Sequence, residues 1–368
     1  MADVLNPLWS KFIFALVFLV VMTLKNDTTP SEIRDAMINW YDDHARALPW
    51  RSKPHEIPDP YHVWMSEVML QQTTVAAVQS YFEKFISIWP TVYDLAHACQ
   101  DDVMREWAGL GYYSRARNLH KCAQIIVNDY DGKFPMDLKA LKLLPGIGDY
   151  TSGAIKSIAF NMPAIVIDGN VDRVVSRLYA IEKPLPDSKP IIRDFSKELF
   201  VGMNQDRPSC FAQSLMDLGA TICTPKSPKC SICPVQQYCQ AHDKGIEGNL
   251  PKKKKKTKIP EKFAIAYIYY YEGKVRIEKR PDKGMLGGMI GFPTSQWDED
   301  AGFLNEGHVD PNVKIRHVFT HFALTLYPIV IRENSHENSA RYEKIETIGA
   351  IGLPTLFQKL WNVVKSDL

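Results

Sequence analysis

The chain lacks most of the features that would place it in a simple class. It has no excess of charge: 44 Lys+Arg stand against 42 Asp+Glu, for a net charge of +2. Any affinity for a polyanion must therefore come from clustered charge and not from the total. It has no apolar run of the roughly 20 residues that a membrane helix needs. The longest such run, FIFALVFLVVMTL at residues 12–24, ends after 13. That length suits a signal-peptide core, but only Lys11 precedes it, Asp3 offsets that charge, and no small-x-small cleavage site follows. Residues 1–21 are read as a misassigned upstream start, with translation from Met22, or as a non-structural apolar extension. No repeat with a period of 20–50 residues is visible. Seven cysteines give no even disulfide framework, and four of them fall within the 17 residues CTPKSPKCSICPVQQYC. An odd total with one tight cluster favours a metal site in a reducing compartment. Cys99, Cys122 and Cys210 are scattered and read as ordinary thiols.

What is present divides the 368 residues into two parts. From Ser31 to about Lys244 the apolar spacing is helical, over 31–47, 62–88, 101–108, 114–130, 137–144, 150–160, 170–180 and 190–219, with short Gly or Pro breaks. Residues 245–260, GIEGNLPKKKKKTKIP, carry six lysines within 252–258 and read as an exposed linker whose charge could touch phosphates. Strand patterns follow. FAIAYIYYY (263–271), a Glu272-Gly273 turn and KVRIEKR (274–280) form a hairpin, HFALTLYPIVI (321–331) is a further strand, and PTLFQKLWNVVKS is an amphipathic helix.

Three stretches carry chemistry. In LPGIGDYTSGAI (144–155), Gly146 and Gly148 mark a tight turn between helices whose backbone amides can cradle a phosphate. A plain helix–helix turn is the alternative. In VIDGNVDRV (166–174), Asp168 ends an apolar run at a helix start, either as an ordinary N-cap or as a carboxylate facing a cleft. Cys223, Cys230, Cys233 and Cys239, spaced C-x6-C-x2-C-x5-C, can enclose one zinc or one iron–sulfur cubane, and spacing does not separate the two. Lys226 and Lys229 in the first cysteine loop add positive charge. A fourth feature is a lone acid in an apolar helix pattern, Glu67 in VWMSEVMLQQT (63–73).

These motifs together resemble the endonuclease III superfamily of base-excision glycosylases. LPWR (48–51), WMSEVMLQQTTV (64–75) and GLGYYSRARNL (109–119) resemble its MutY-type adenine DNA glycosylases in particular. The likeness runs from about residue 35 to 240. It implies a multidomain architecture: an all-α helix-hairpin-helix glycosylase domain with an iron–sulfur subdomain over 22–244, a linker over 245–260, and an α+β Nudix-like domain over 261–368. It also implies one [4Fe–4S] cluster on the four cysteines.

The resemblance places the catalytic acid at Glu67 and the catalytic aspartate at Asp168, with Asn170 orienting the latter. Breaking an N-glycosidic bond needs a proton on the leaving base and a carboxylate near the sugar cation, the two tasks paired carboxylates perform in glycoside hydrolysis. An apolar surround raises the pKa of Glu67 so that it can donate near neutral pH. At position 150 the superfamily's lyases carry a nucleophilic lysine. Tyr150 stands there instead, which implies a monofunctional enzyme that leaves an abasic site, with the tyrosine bonded to the catalytic aspartate. Gln72 and Tyr112 are implied to wedge into the duplex. Arg51, Leu70 and Trp50 are implied to form the base pocket, with core packing as the alternative for Trp50 and Leu70.

KRPDKGMLGGMIGFP (279–293) resembles the Gly-rich segment of the Nudix-like domain. FPTSQWDEDAGF follows in place of the glutamate-bearing, magnesium-binding helix, so pyrophosphohydrolase activity is not expected. Phe319-Thr320-His321 resembles the loop that reads 8-oxoguanine, with Thr where the family shows Ser, keeping the hydroxyl. For His321 alone, a strand entry is the alternative. The expected substrate is duplex DNA with adenine opposite 8-oxoguanine or guanine. The expected protein is monomeric, cytoplasmic and nucleoid-associated, with no membrane partner. The alternatives weighed are an endonuclease III-like glycosylase/lyase for oxidised pyrimidines, a non-catalytic iron–sulfur DNA-binding module, and a Nudix hydrolase.

Overall fold

The structure is a computed structural model. It describes residues 29–54, 56–200, 207–254, 258–302, 304, 309–335, 337 and 339–368, so the apolar run and the Met22 start lie outside the described residues. Helix boundaries follow local chemistry. Helix α1 (Pro30–His44) opens on a capping box in which Thr29 N donates to Glu32 Oε2 at 2.8 Å. Helix α2 (Pro60–Leu70) opens on Asp59, whose carboxylate accepts from Tyr61 N at 2.8 Å, with Pro60 in the first turn. The 62–88 stretch is not one helix. Gln72 adopts φ 58°, and Thr74 caps a new helix, α3 (Val75–Ile88), by accepting from Ala77 N. That break puts Gln71 and Gln72 on a turn.

Helix α4 (Val92–His97) is too short for the periodicity to reveal and is held by a Thr91–Asp94 capping box. Then follow α5 (Gln100–Glu106), α6 (Ser114–Tyr130), α7 (Leu138–Leu143) and α8 (Asp149–Ala154), which runs on as a π turn to Ala159. Helices α9 (Gly169–Leu178), α10 (Lys189–Phe200), α11 (Pro208–Thr221) and the short α12 (Gln240–Asp243) complete the helical part. The pattern over 190–219 thus divides into α10 and α11.

Helix α2 lies at the centre of this bundle, with residues 61 and 63–69 all buried. Trp64, Met65 and Met69 have no exposed surface. Each such side chain stabilises the fold by about 1.5–3 kcal/mol, so the helix that carries Glu67 is anchored on every side. Trp64→Ala should cost about 3–5 kcal/mol.

The stretch expected as an exposed linker is tethered at its start. Leu250 is buried, Leu185 N donates to Lys252 O at 2.8 Å, and Lys252 and Lys254 pair with Glu182 and Asp187 at 2.8 Å. Lys255 and Lys256 lie outside the described residues.

The C-terminal part is a mixed sheet of β1 (Glu261–Tyr271), β2 (Lys274–Lys279), β3 (Ile290–Gly291), β4 (Ile315–Val318), β5 (Ala323–Arg332) and β6 (Arg341–Lys344), in the order β3-β2-β1-β5-β4 with β6 beside β2. The β1–β2 hairpin turns at Glu272 and Gly273, both at positive φ as a two-residue turn requires. Strands β1 and β5 run parallel. Helix α13 (Thr355–Val364) packs on β4 and β5, and its Phe357 and Trp361 both pack on Phe292. A Cβ at Gly291 would lie 2.3 Å from Phe357, so only glycine admits the helix there. After Gly291 the chain forms isolated bridges to β1 at Thr294 and Asp298. The sheet sits against α5 and α6: Lys279 reaches Asp101 at 2.5 Å, and Arg117 donates to Gly287 O.

Candidate active site

Glu67 is 6% exposed, and Tyr150 donates to its Oε2 at 2.6 Å. Burial raises its pKa from 4.5 to about 7, the Tyr150 hydrogen bond and Arg51 pull it down, and Asp168 pushes it up. The carboxyl is therefore partly protonated at neutral pH. Tyr150 was expected to bond the aspartate, and here it bonds the glutamate. Helix α8, which carries it, packs directly on α2, and burial holds its own hydroxyl protonated.

Asp168 is both things the sequence left open. It is the N-cap of α9, accepting from Asn170 N at 2.9 Å and Val171 N at 2.7 Å on Oδ1. Its Oδ2 accepts from Asn170 Nδ2 at 2.7 Å, and the residue also lines the cavity. The amides and the helix start favour negative charge at this point. Asn170 is in turn held by Arg173, whose Nη2 donates to Asn170 Oδ1 at 2.9 Å and to Gly219 O at 2.6 Å. A Cβ at Gly219 would lie 2.6 Å from Asn170 Cβ, so glycine lets α11 approach this closely.

Both carboxylates face one cavity of about 480 Å3, within the range of small-molecule sites. Trp50, Leu70, Val75 and Met216 supply apolar walls, and Gln213 supplies an amide. Trp50 also packs edge-on against Phe82, so pocket wall and core are the same residue here. Arg51 lines the cavity with its charge committed: Nη1 donates to Asp217 Oδ2 at 2.7 Å. Arg46 joins it through Nε to Asp217 Oδ1 at 2.7 Å. Sequence reasoning missed Asp217, Arg46 and Gln213. The signal for Asp217 was available, since SLMDLGA is another lone acid in an apolar helix.

Gln72 lines the cavity and is exposed, and Tyr112, at φ 47°, is 45% exposed. In the hairpin Gly146 takes φ 78°, which favours glycine, while Gly148 caps α8 and a Cβ there would meet nothing within 4 Å. The charge of Asp149 beside it is matched by Lys142 at 2.5 Å and Arg193 at 3.3 Å. Phe319, Thr320 and His321 form the turn between β4 and β5, not a strand entry, because β5 begins at Ala323. Thr320 Oγ1 lies 2.8 Å from the Tyr112 hydroxyl. The structure thus brings the lesion-loop candidate to one of the wedge candidates.

Cys223, Cys230, Cys233 and Cys239 line a second cavity together with Arg177, His242 and Glu247. Cys230 Sγ, a ring nitrogen of His242 and a carboxylate oxygen of Glu247 lie within 4.8 Å of one another. His242 Nδ1 and Glu247 Oε2 are buried in this wall without a partner, as groups facing an ion or cluster are. The donor set fits a [4Fe–4S] cluster. Arg177 donates to Cys223 Sγ at 3.3 Å, and Arg173 donates to Cys223 O at 2.7 Å, which ties the cluster loop to α9.

The helical half alone defines the class, a helix-hairpin-helix DNA glycosylase with an iron–sulfur site. A family model described as the HhH-GPD superfamily of base excision DNA repair proteins matches residues 65–199. The iron–sulfur binding domain of endonuclease III matches 223–239, and a NUDIX domain matches 264–363. A thermostable thymine-DNA glycosylase of known structure aligns with a TM-score of 0.50 at 27% identity, over 58% of this chain and 97% of that one.

Similarity across most of the chain is more specific. The adenine DNA glycosylase of Buchnera aphidicola subsp. Schizaphis graminum is 34% identical over 352 residues, covering 89% of this chain and 97% of the relative. The human adenine DNA glycosylase is 33% identical, covering 91% and 74%. That of Arabidopsis thaliana is 38% identical over 76% of this chain, which spans 50% of that relative's length. The chain belongs to the adenine DNA glycosylase family: it is a base-excision repair enzyme that acts on DNA and carries a [4Fe–4S] cluster. No helix among the described residues is long and apolar enough to cross a membrane.

Proposed function

We propose that the chain removes adenine mispaired with 8-oxoguanine, and with guanine, leaving an abasic site without cutting the strand. The observation that carries this reading is the pairing of a protonatable Glu67 with an amide-anchored Asp168 on one cavity. Adenine rotates out of the stack into that cavity. Tyr150 engages Oε2 of Glu67, which leaves Oε1 to carry the proton to a ring nitrogen of the base. As the C1′–N9 bond breaks, its electron pair leaves with the adenine. Asp168 faces the developing sugar cation, and Asn170 holds it there. Water adds to C1′, and its proton passes to a carboxylate. Tyr150 offers no amine, so no Schiff base forms with the sugar.

Gln72 and Tyr112 act as wedges from their exposed turns, and the hairpin amides at Gly146 and Gly148 hold a backbone phosphate. Phe319, Thr320 and His321 read the base opposite. Arg51, Leu70 and Trp50 shape the adenine pocket. Residues 22–244 act as the excision domain and 261–368 as the reading domain, joined by 245–260. The enzyme works as a monomer on chromosomal DNA in the cytoplasm, where a thiolate-ligated cluster is kept from disulfide formation.

Duplexes carrying A:8-oxoG, A:G or thymine glycol:A, treated with and without alkali, test this. Cleavage of the A-strand only after alkali is expected. Strand cutting without alkali, or release of thymine glycol in place of adenine, overturns it.

A further inference from the structure

Arg115, in the first turn of α6, is 8% exposed. Its Nη1 donates to Val68 O at 2.9 Å and Met69 O at 2.8 Å. These are carbonyls at the end of α2, where a helix leaves acceptors unpaired. Its Nη2 donates to Thr73 Oγ1 at 3.3 Å, on the turn that carries Gln72. The same Nη2 donates to Leu110 O at 3.0 Å and Gly111 O at 3.1 Å, on the turn that carries Tyr112. Its guanidinium lies 5.6 Å from the centre of the Tyr112 ring and 5.2 Å from that of Trp107. One planar cation therefore joins the end of the Glu67 helix to both exposed turns. Gln72 and Tyr112 each sit at positive φ, a conformation that persists only where surrounding contacts enforce it.

We propose that Arg115 is a positioning residue that sets the spacing between the Gln72 turn and the Tyr112 turn, so that the two enter the duplex as one rigid pair. The inference rests on the wedge roles assigned above. A lysine keeps the charge, but its one ammonium cannot hold the Val68 and Met69 carbonyls that Nη1 takes together with the two turns that Nη2 takes, and it has no planar face to lay against Tyr112. Arg115 touches neither cavity carboxylate. Its loss should impair extrusion of the base and leave the chemistry on an extruded base alone.

The test uses full-length, cluster-loaded protein as wild type, R115K, T73V, Q72A and Y112A. Single-turnover excision is measured from an A:8-oxoG duplex and from an adenine in a single-base bulge, which is already unpaired. 2-Aminopurine in place of the adenine reports extrusion by fluorescence. R115K is expected to slow duplex excision by about tenfold to a hundredfold, the range for a misplaced group remote from the reaction. It should dampen the 2-aminopurine signal, keep bulge excision within about threefold, and leave the alkaline limb of the pH–rate profile in place. T73V, which removes the Thr73 bond to Arg115 and that hydroxyl's own bond to Gln71 O at 3.3 Å without touching the arginine, should show the same selectivity at smaller size and serves if R115K folds poorly. Equal losses on duplex and bulge, or no loss on the duplex, overturn the proposal. If Q72A and Y112A slow duplex excision while R115K does not, only the role of Arg115 falls. If Q72A and Y112A are themselves harmless, the wedge reading falls and the proposal with it.

Discussion

Glu67 in α2 and Asp217 in α11 occupy the same kind of place. Each is the lone acid of an apolar helical stretch, WMSEVML and SLMDLGA, and they are 6% and 0% exposed. Their donors differ. Asp217 receives Arg46 N at 3.0 Å, Arg46 Nε at 2.7 Å and Arg51 Nη1 at 2.7 Å, two positive charges in all. Glu67 receives one neutral hydroxyl, from Tyr150. A buried carboxylate with two guanidinium partners holds the residue 46–51 loop onto α11. One with a single phenol is left poised between its two protonation states. At similar depth of burial, the number and charge of the donors separate an acid tied by ion pairs from one that burial leaves protonatable.

The largest effect expected from breaking this contrast is on rate. Glu67→Gln keeps the shape and the acceptor for Tyr150 but cannot donate a carboxylic proton. Single-turnover excision of adenine should fall by about 10²–10⁴-fold, the usual worth of a positioned acid. Gel-shift affinity for the A:8-oxoG duplex should be retained. Near-normal turnover would remove Glu67 from the acid's role.

Asp217→Asn should act on the fold instead. It leaves Arg46 and Arg51 facing each other without a counter-charge, so denaturant unfolding should show a loss of about 3–5 kcal/mol. The same substitution type at Glu67 should go the other way. The folded pKa of Glu67, about 7, lies above its ordinary 4.5. Its stabilising contribution is therefore full below pH 4.5 and is lost as pH rises through 7. Above that window the wild type carries a penalty of about 3 kcal/mol that a glutamine does not. Unfolding curves at pH 5 and pH 8 should show Glu67→Gln gaining on the wild type as pH rises. A gain that shrinks with pH would mean that the carboxyl is ionised without cost.

How much of this could be read from the sequence depends on whether the signal was local. Helix α6 and the β1–β2 hairpin were legible because periodicity and an Glu272-Gly273 turn decide them within a few residues. Strands β4 and β6, four residues each, were not, since their pairing with β5 and β2 is settled by tertiary partners. The break in 62–88 was missed because Thr74 can cap a helix or sit within one, and only the φ of Gln72 decides. Glu67, Asp168 and the four cysteines stood out by motif. Asp217 did not, although it is the more deeply buried acid, because nothing in SLMDLGA says that Arg46 and Arg51 fold back onto it from some 170 residues away. Tyr150 lines the same cavity as both carboxylates but bonds Glu67 where Asp168 was expected, since choosing between two neighbouring carboxylates is a matter of ångströms.

That choice yields the smallest and sharpest test. If Tyr150 served mainly Asp168, Tyr150→Phe would leave the titration of the acid where it is. Its hydroxyl instead lies 2.6 Å from Glu67 and pulls that pKa down against the effect of burial. Removing it should leave burial and Asp168 opposed only by Arg51, so the alkaline limb of the pH–rate profile should move upward by about one pH unit, the scale of one such hydrogen bond. The rate at pH 7 should change only a few-fold, because more of the acid is protonated while its orientation is less fixed. A limb that moves downward, or stays in place while the plateau collapses, would return Tyr150 to the aspartate. Glu67 would then be poised by burial and charge without the phenol.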